Sequence, residues 1–142
     1  MTEQHLRLGG APEGFDAELL KRELERRRAP VIHIARDDKR LEAMRQALAF
    51  FAPAVPVLTF PAWDCLPYDR VSPNPDVTAR RMATLATLAP GVDGPLVVLT
   101  TLNAAMQRLP SRQTIGGASF VAVVGQQVNE SALRDYLSRM GF

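Results

Sequence analysis

The apolar residues of this chain fall into two alternating periods. From Asp16 to about Arg28, Leu19, Leu20 and Leu24 recur at helical spacing. Glu18 and Arg22, and Glu23 and Arg27, stand four apart on the other side, where opposite charges support a helix, and Asp16 is the expected cap. Pro30 ends that helix, and Val31-Ile32-His33-Ile34-Ala35 reads as a short buried strand. Asp37 or Asp38 caps a second helix to about Ala52, with Leu41, Met44, Leu48 and Phe51 on one face. Residues 55–60 form the next strand. Asp76 is the expected cap of a third helix, striped by Val77, Met82, Leu85 and Leu88. The run Leu96-Val97-Val98-Leu99 has no polar face, as in a central parallel strand covered on both sides. Thr100 or Thr101 caps a short helix to about Leu109. A loop with Gly116-Gly117 leads to a strand over residues 120–124. Asn129 then caps a last helix, with Leu133, Tyr136, Leu137 and Met140 inward and Gly141 as its stop. Strand and helix alternate through residue 109, which predicts an α/β fold with a parallel sheet and flanking helices. The pattern changes after Pro110, placing a domain boundary near 110–118.

One stretch obeys neither period. Residues 60–76 join a strand to a helix and hold the only Trp (Trp63), the only Cys (Cys65), one of the two Tyr (Tyr68) and four of the eleven Pro. Pro61, Pro67, Pro73 and Pro75 fix its path without regular structure. A long connection within a compact domain is usually functional or disordered, and the aromatics here argue for an ordered loop packed on the domain.

Composition adds bounds. At 142 residues, 46% hydrophobic and 23% charged, the chain has material for one core and part of a second. No apolar run nears the roughly 20 residues of a membrane span, and residues 1–10 lack a signal-peptide centre. One cysteine excludes an internal disulfide and a thiolate zinc site. The expectation is a cytoplasmic protein with no membrane partner and no cofactor. A net charge of +2 is weak evidence for nucleic acid. Arg26-Arg27-Arg28 falls in a last helical turn, where cations suit the helix dipole.

Candidate chemistry is sparse. Gly9 and Gly14 have the spacing of a phosphate-binding loop and open a helix, but Phe15 and Asp16 stand where Lys and Ser or Thr should follow. An aromatic removes the phosphate clamp, and a carboxylate competes with an anion for the same N–H groups. Nucleotide binding is therefore disfavoured. Cys65 lacks a neighbouring base: His5 lies near the terminus, and His33 reads as a satisfied core residue. Arg80 and Arg81 could touch phosphate while Trp63 and Tyr68 stack on bases. Asp64, Asp69 and Asp76 put negative charge on the same loop, which favours aromatics plugging the loop onto the core, with Arg–Asp pairs at its rim.

These residues carry a resemblance. Trp63-Asp64, Leu66-Pro67-Tyr68-Asp69, Ser72-Pro73, Asp76, Arg80-Arg81 and Thr84-Leu85 resemble the hallmark segment of the N-terminal module of bacterial transcription-repair coupling factors. The run from Val97 to Arg108, ending Met106-Gln107-Arg108, is similar to that family's apolar strand and the helix after it. Gly125 and the helix from Glu130 to Gly141 resemble the start of its next domain. The module is itself similar to the damage-recognition subunit UvrB, built on a helicase-like α/β domain. Gly9–Asp16 falls where UvrB carries its ATP-binding loop, and residues 60–76 where it carries a longer DNA-probing hairpin.

The resemblance implies residues 1–113 as the first part of a UvrB-like domain with a degenerate nucleotide site. It implies residues 114–142 as the beginning of a small α/β domain that recruits UvrA. Trp63, Asp64, Leu66, Pro67, Tyr68, Asp69, Arg80 and Arg81 would be structural. The chain would be a non-catalytic adaptor piece of a longer protein that displaces stalled RNA polymerase with an ATP-driven DNA translocase. RNA polymerase and DNA would be met through other domains of that protein. The alternative is a stand-alone α/β nucleotide- or nucleic-acid-binding domain.

Overall fold

The computed structural model describes residues 7–12, 14–65, 70, 72–120 and 122–141. In chain order its elements are α1 (Phe15–Arg27), β1 (Val31–Ala35), α2 (Asp38–Phe51), β2 (Val57–Phe60), α3 (Pro75–Leu88), β3 (Val97–Thr101), α4 (Leu102–Ala105), α5 (Arg112–Gly117) and α6 (Glu130–Met140). Three parallel strands form a sheet in the order β1-β3-β2. Val97 pairs with Val31 on one side and Val57 on the other, and Leu99 with His33 and Thr59. All five residues of the middle strand are buried, as its continuous apolar run requires.

Successive strand residues face opposite sides, so the sheet separates two apolar layers. On one side Val97 and Leu99 meet Ala17 and Leu24 of α1, Met44 and Leu48 of α2, and Ala52 just after it. Leu24, Leu48, Val97 and Leu99 are essentially inaccessible, and burying a leucine stabilises by about 2 kcal/mol. On the other side Leu96, Val98, Phe60 and Ala104 meet Leu85 and Leu88 of α3. That second cover leaves Ile32 and Ile34 on the edge strand β1 64% and 53% exposed.

Helix ends follow local chemistry. Asp37 caps α2 by accepting from the Arg40 N–H at 2.8 Å. Thr101 and Asn129 cap α4 and α6, and Gly141 ends α6 with φ 87°. The α3 cap is Asn74, not Asp76: its side chain accepts from the Asp76 N–H at 2.9 Å. Pro75 then occupies the first helical position, where the missing N–H costs nothing. The α1 cap is Gly14 in a left-handed conformation (φ 85°), which leaves Asp16 inside the first turn.

After residue 105 the structure departs from the expected elements. The helix after β3 stops at Ala105, not Leu109. A short helix capped by Ser111 replaces the expected Gly116-Gly117 loop. The described residues of 120–124 form no strand. A lone apolar stretch without a partner strand has nothing to pair its backbone with. Instead the Phe120 ring lies 5.5 Å from that of Tyr136, whose hydroxyl donates to the Ala118 carbonyl at 3.0 Å. Among the described residues no helix is long and apolar enough to cross a membrane.

Candidate functional site

The irregular stretch after β2 is held by one buried cation. Arg81 projects from α3 and is 1% exposed. Its guanidinium lies between two aromatic rings, 4.1 Å from the Phe60 centroid and 4.4 Å from that of Trp63. A cation over a ring face is attracted by the ring quadrupole, the more so when water is excluded. One terminal nitrogen donates to the Pro61 carbonyl at 2.6 Å and to Gln107 Oε1 at 2.9 Å. The same Gln107 oxygen accepts from the Trp63 N–H at 3.1 Å. Arg81 Nε is buried with no partner. Burial pushes the guanidinium's pKa down, but arginine starts so high that it stays protonated.

Gln107 thus ties the loop, α3 and the segment after α4 together. It belongs to the Met106-Gln107-Arg108 run, so the two separated stretches that carry the resemblance meet at one side-chain oxygen. Sequence reasoning gave Gln107 no role, and took Phe60 only as the end of a strand. Both lie within the quoted motifs, but only the fold brings them to Arg81. Thr84, one turn further along α3, donates from its hydroxyl to the Thr59 carbonyl at 2.9 Å and pins the helix to the end of β2.

Asp64 is exposed, and both its carboxylate oxygens lie 3.2 Å from the Asn74 N–H. It therefore joins the two ends of the connection. No Arg–Asp pair involving Arg81 forms among the described residues. Arg80, next in sequence, is exposed and lines a groove of about 640 Å³ with Asp38, Glu42, Arg45 and Thr59. The Glu42 carboxyl is held at about 2 by hydrogen bonds from Arg45 first and Gln46 second, with a small contribution from Arg80. Leu66, Pro67, Tyr68 and Asp69 lie outside the described residues. Cys65 is half-buried and unpaired.

The Gly9–Gly14 segment sits at the other end of α1. Gly10 and Gly14 take positive φ, 70° and 85°, and the Phe15 N–H turns back to the Pro12 carbonyl at 3.2 Å. Phe15 is 37% exposed. Asp16 accepts from the Ala17 N–H at 3.1 Å, and its other oxygen meets an Arg40 nitrogen at 3.3 Å. A carboxylate thus lies against the helix N-terminus, the place a phosphate would need. His33 lies nearby on β1, half-buried; its pKa is lowered, chiefly by burial. Among the described residues no three metal-ligating side chains cluster.

No protein-family model matches the chain. Curated relatives do, and they share one description. The transcription-repair-coupling factor of Escherichia coli (strain K12) is 31% identical over 140 residues, covering 99% of this chain and 12% of that protein. That of Myxococcus xanthus is 34% identical over 121 residues, covering 81% of this chain and 10% of the relative. That of Rickettsia prowazekii is 30% identical over 82 residues, covering 58% and 7%. The chain spans only a small part of the length of the relatives it matches. With the first of these alignments running almost from end to end of its α/β fold, this chain belongs to the transcription-repair-coupling factor family.

Proposed function

We propose that this chain is a non-catalytic adaptor module of a transcription-repair coupling factor, working in transcription-coupled DNA repair in the cytoplasm. In this reading residues 1–113 are a UvrB-like, helicase-like domain whose nucleotide site has decayed, and residues 114–142 open a domain that recruits UvrA. Displacement of stalled RNA polymerase and ATP-driven movement on DNA belong to other parts of the longer protein. Trp63, Asp64, Leu66, Pro67, Tyr68, Asp69, Arg80 and Arg81 serve the architecture of the first domain.

The observation that carries the reading is the Asp16 carboxylate against the N-terminus of α1. A phosphate-binding loop offers free N–H groups and a lysine at that point. Here the lysine position is Phe15, and the end already has an anion. The buried Arg81 stack supports the structural role of the loop: a guanidinium and indole facing each other and 1% exposed at the cation are not presented to a nucleic acid.

Titration of the chain with magnesium-ATP in a calorimeter tests this directly. No binding is expected up to millimolar nucleotide. Micromolar binding that disappears with Gly14→Val would sink the proposal and restore the nucleotide-binding alternative.

A further inference from the structure

The basic end of α1 lines a cleft where β2 and β3 begin, whereas the Arg81 stack lies where β2 ends. The cleft has a volume of about 440 Å³, within the range of pockets that take ligands or anchoring side chains. Its floor is apolar, formed by Leu24, Phe51, Val55 and Pro95, and Lys21 and Arg28 stand at its rim. Phe50, beside it, is 80% exposed and contacts the Phe51 ring edge-on at 5.1 Å.

Three arginines in a row are not equivalent here. Arg26 and Arg27 both bond to Glu23, at 2.6 and 2.8 Å. Arg28 takes the left-handed conformation, φ 49°, that ends α1, and lines the cleft. It is the one non-glycine residue with positive φ among the described residues. The Arg28 N–H donates to the Leu24 carbonyl at 2.9 Å, but neither the Arg28 nor the Lys21 side chain forms a hydrogen bond or ion pair among the described residues. Glu25 is the sole acidic lining residue. Lys21 and Arg28 stand against this one carboxylate, so the lining carries a net positive charge despite the helix C-terminus beneath it.

We propose that this cleft is a docking site for a short acidic peptide segment of a partner protein, with an aliphatic or aromatic side chain between its carboxylates. The apolar side chain enters between Leu24, Phe51 and Pro95. The carboxylates meet Lys21 and Arg28, and Phe50 covers the flank of the peptide. Charge complementarity selects the sign of the partner, and the apolar floor selects against a purely acidic one. Single-stranded nucleic acid is the weaker fit. It needs a line of cations along a backbone and open ring faces for stacking. Here only two cations line the cleft, with an apolar floor between them rather than a track for a backbone. This site is separate from the adaptor reading and stands or falls without it.

The test uses the full chain and a fluorescein-labelled hexapeptide of two aspartates, leucine, phenylalanine and two aspartates, followed by fluorescence anisotropy. Saturable binding below about 1 mM is expected, weakening with salt. Arg28→Gly keeps the left-handed backbone that glycine favours and removes the whole side chain, cation and stem together. It should bind about tenfold more weakly while melting no lower than the parent. Lys21→Ala should weaken binding similarly, and Arg139→Ala on α6 should leave it unchanged. Hexa-aspartate should bind at least about tenfold worse than the mixed peptide. The proposal is overturned by no saturation at 1 mM, by binding indifferent to Arg28→Gly, or by equal binding of hexa-aspartate. Tighter binding of a labelled single-stranded oligonucleotide that Arg28→Gly abolishes would overturn it in favour of nucleic acid.

Discussion

A guanidinium taken out of water needs replacement partners, and a carboxylate is the usual one. Arg81 uses none: two ring faces and two neutral oxygens do the work. Such an arrangement leans heavily on Gln107, whose oxygen serves two donors at once. Gln107→Leu keeps the approximate volume but strands the Trp63 N–H and removes one of the two oxygens holding a buried cation. A loss of about 2–3 kcal/mol in urea unfolding is expected, and a loss below about 0.5 kcal/mol would mean that the oxygen is replaceable by water. Trp63→Ala removes one face of the stack and a large apolar contact, with an expected cost of about 3 kcal/mol. If it melts like the parent, the ring is not an anchor.

His33 gives a pH signature at the same scale. Its pKa in the folded chain is lowered by burial, while the unfolded chain titrates near the ordinary value of about 6.5. The folded state therefore binds fewer protons, and stability falls as pH drops from about 6.5 through the folded pKa. Around the site, Asp16 favours the charged form and Arg40 opposes it, both less strongly than burial. Glu23 and Glu42 are held at about 2, by Arg26 and Arg45 respectively as the leading causes. Those two titrate well below the histidine's window. His33→Gln should flatten the fall in melting temperature between pH 7 and 5.5; an unchanged slope would assign it to other groups.

At the scale of elements, the connection from β2 to α3 is closed twice. Asn74 caps α3 and its own N–H is taken by Asp64. Asn74→Ala should cost about 1 kcal/mol, the common loss for a helix cap, and should speed hydrogen exchange in the first turn of α3. No change in that exchange would show that Pro75 alone fixes the start. The regular elements up to residue 105 were legible because their apolar spacing is strong: the leucines of α1 and α2, and the run through Leu99. The cap of α3 was misread because Asn74, Pro75 and Asp76 all suit helix starts and only geometry ranks them. The strand expected over 120–124 failed for a different reason. Apolar composition states a wish to be buried, but pairing needs a neighbour, and here the nearer partner is the α6 ring of Tyr136. The Arg81–Gln107 contact joins residues 26 apart, a separation no local pattern reports.

The whole molecule leaves apolar surface uncovered both before and after residue 110. Ile32 and Ile34 on β1 stand 64% and 53% exposed, and Leu102 and Met106 beyond β3 stand 56% and 79% exposed. In the C-terminal part Val123, Val124 and Leu137 are exposed as well. A contiguous exposed apolar patch marks a contact surface, and Ile32 and Ile34 share one face of the edge strand β1; the curated relatives are far longer than the stretch matched here. If the adaptor reading holds, α6 and the residues before it are the first elements of a domain whose remaining strands meet UvrA. This chain alone should then capture purified UvrA weakly or not at all in a pull-down. A version extended through the next domain should capture it well, and its α6 amides should exchange more slowly because the Leu133–Leu137 side of the helix is covered. Equal capture by the two would place the contact within residues 1–142 and retire the idea that the UvrA surface lies mostly beyond them.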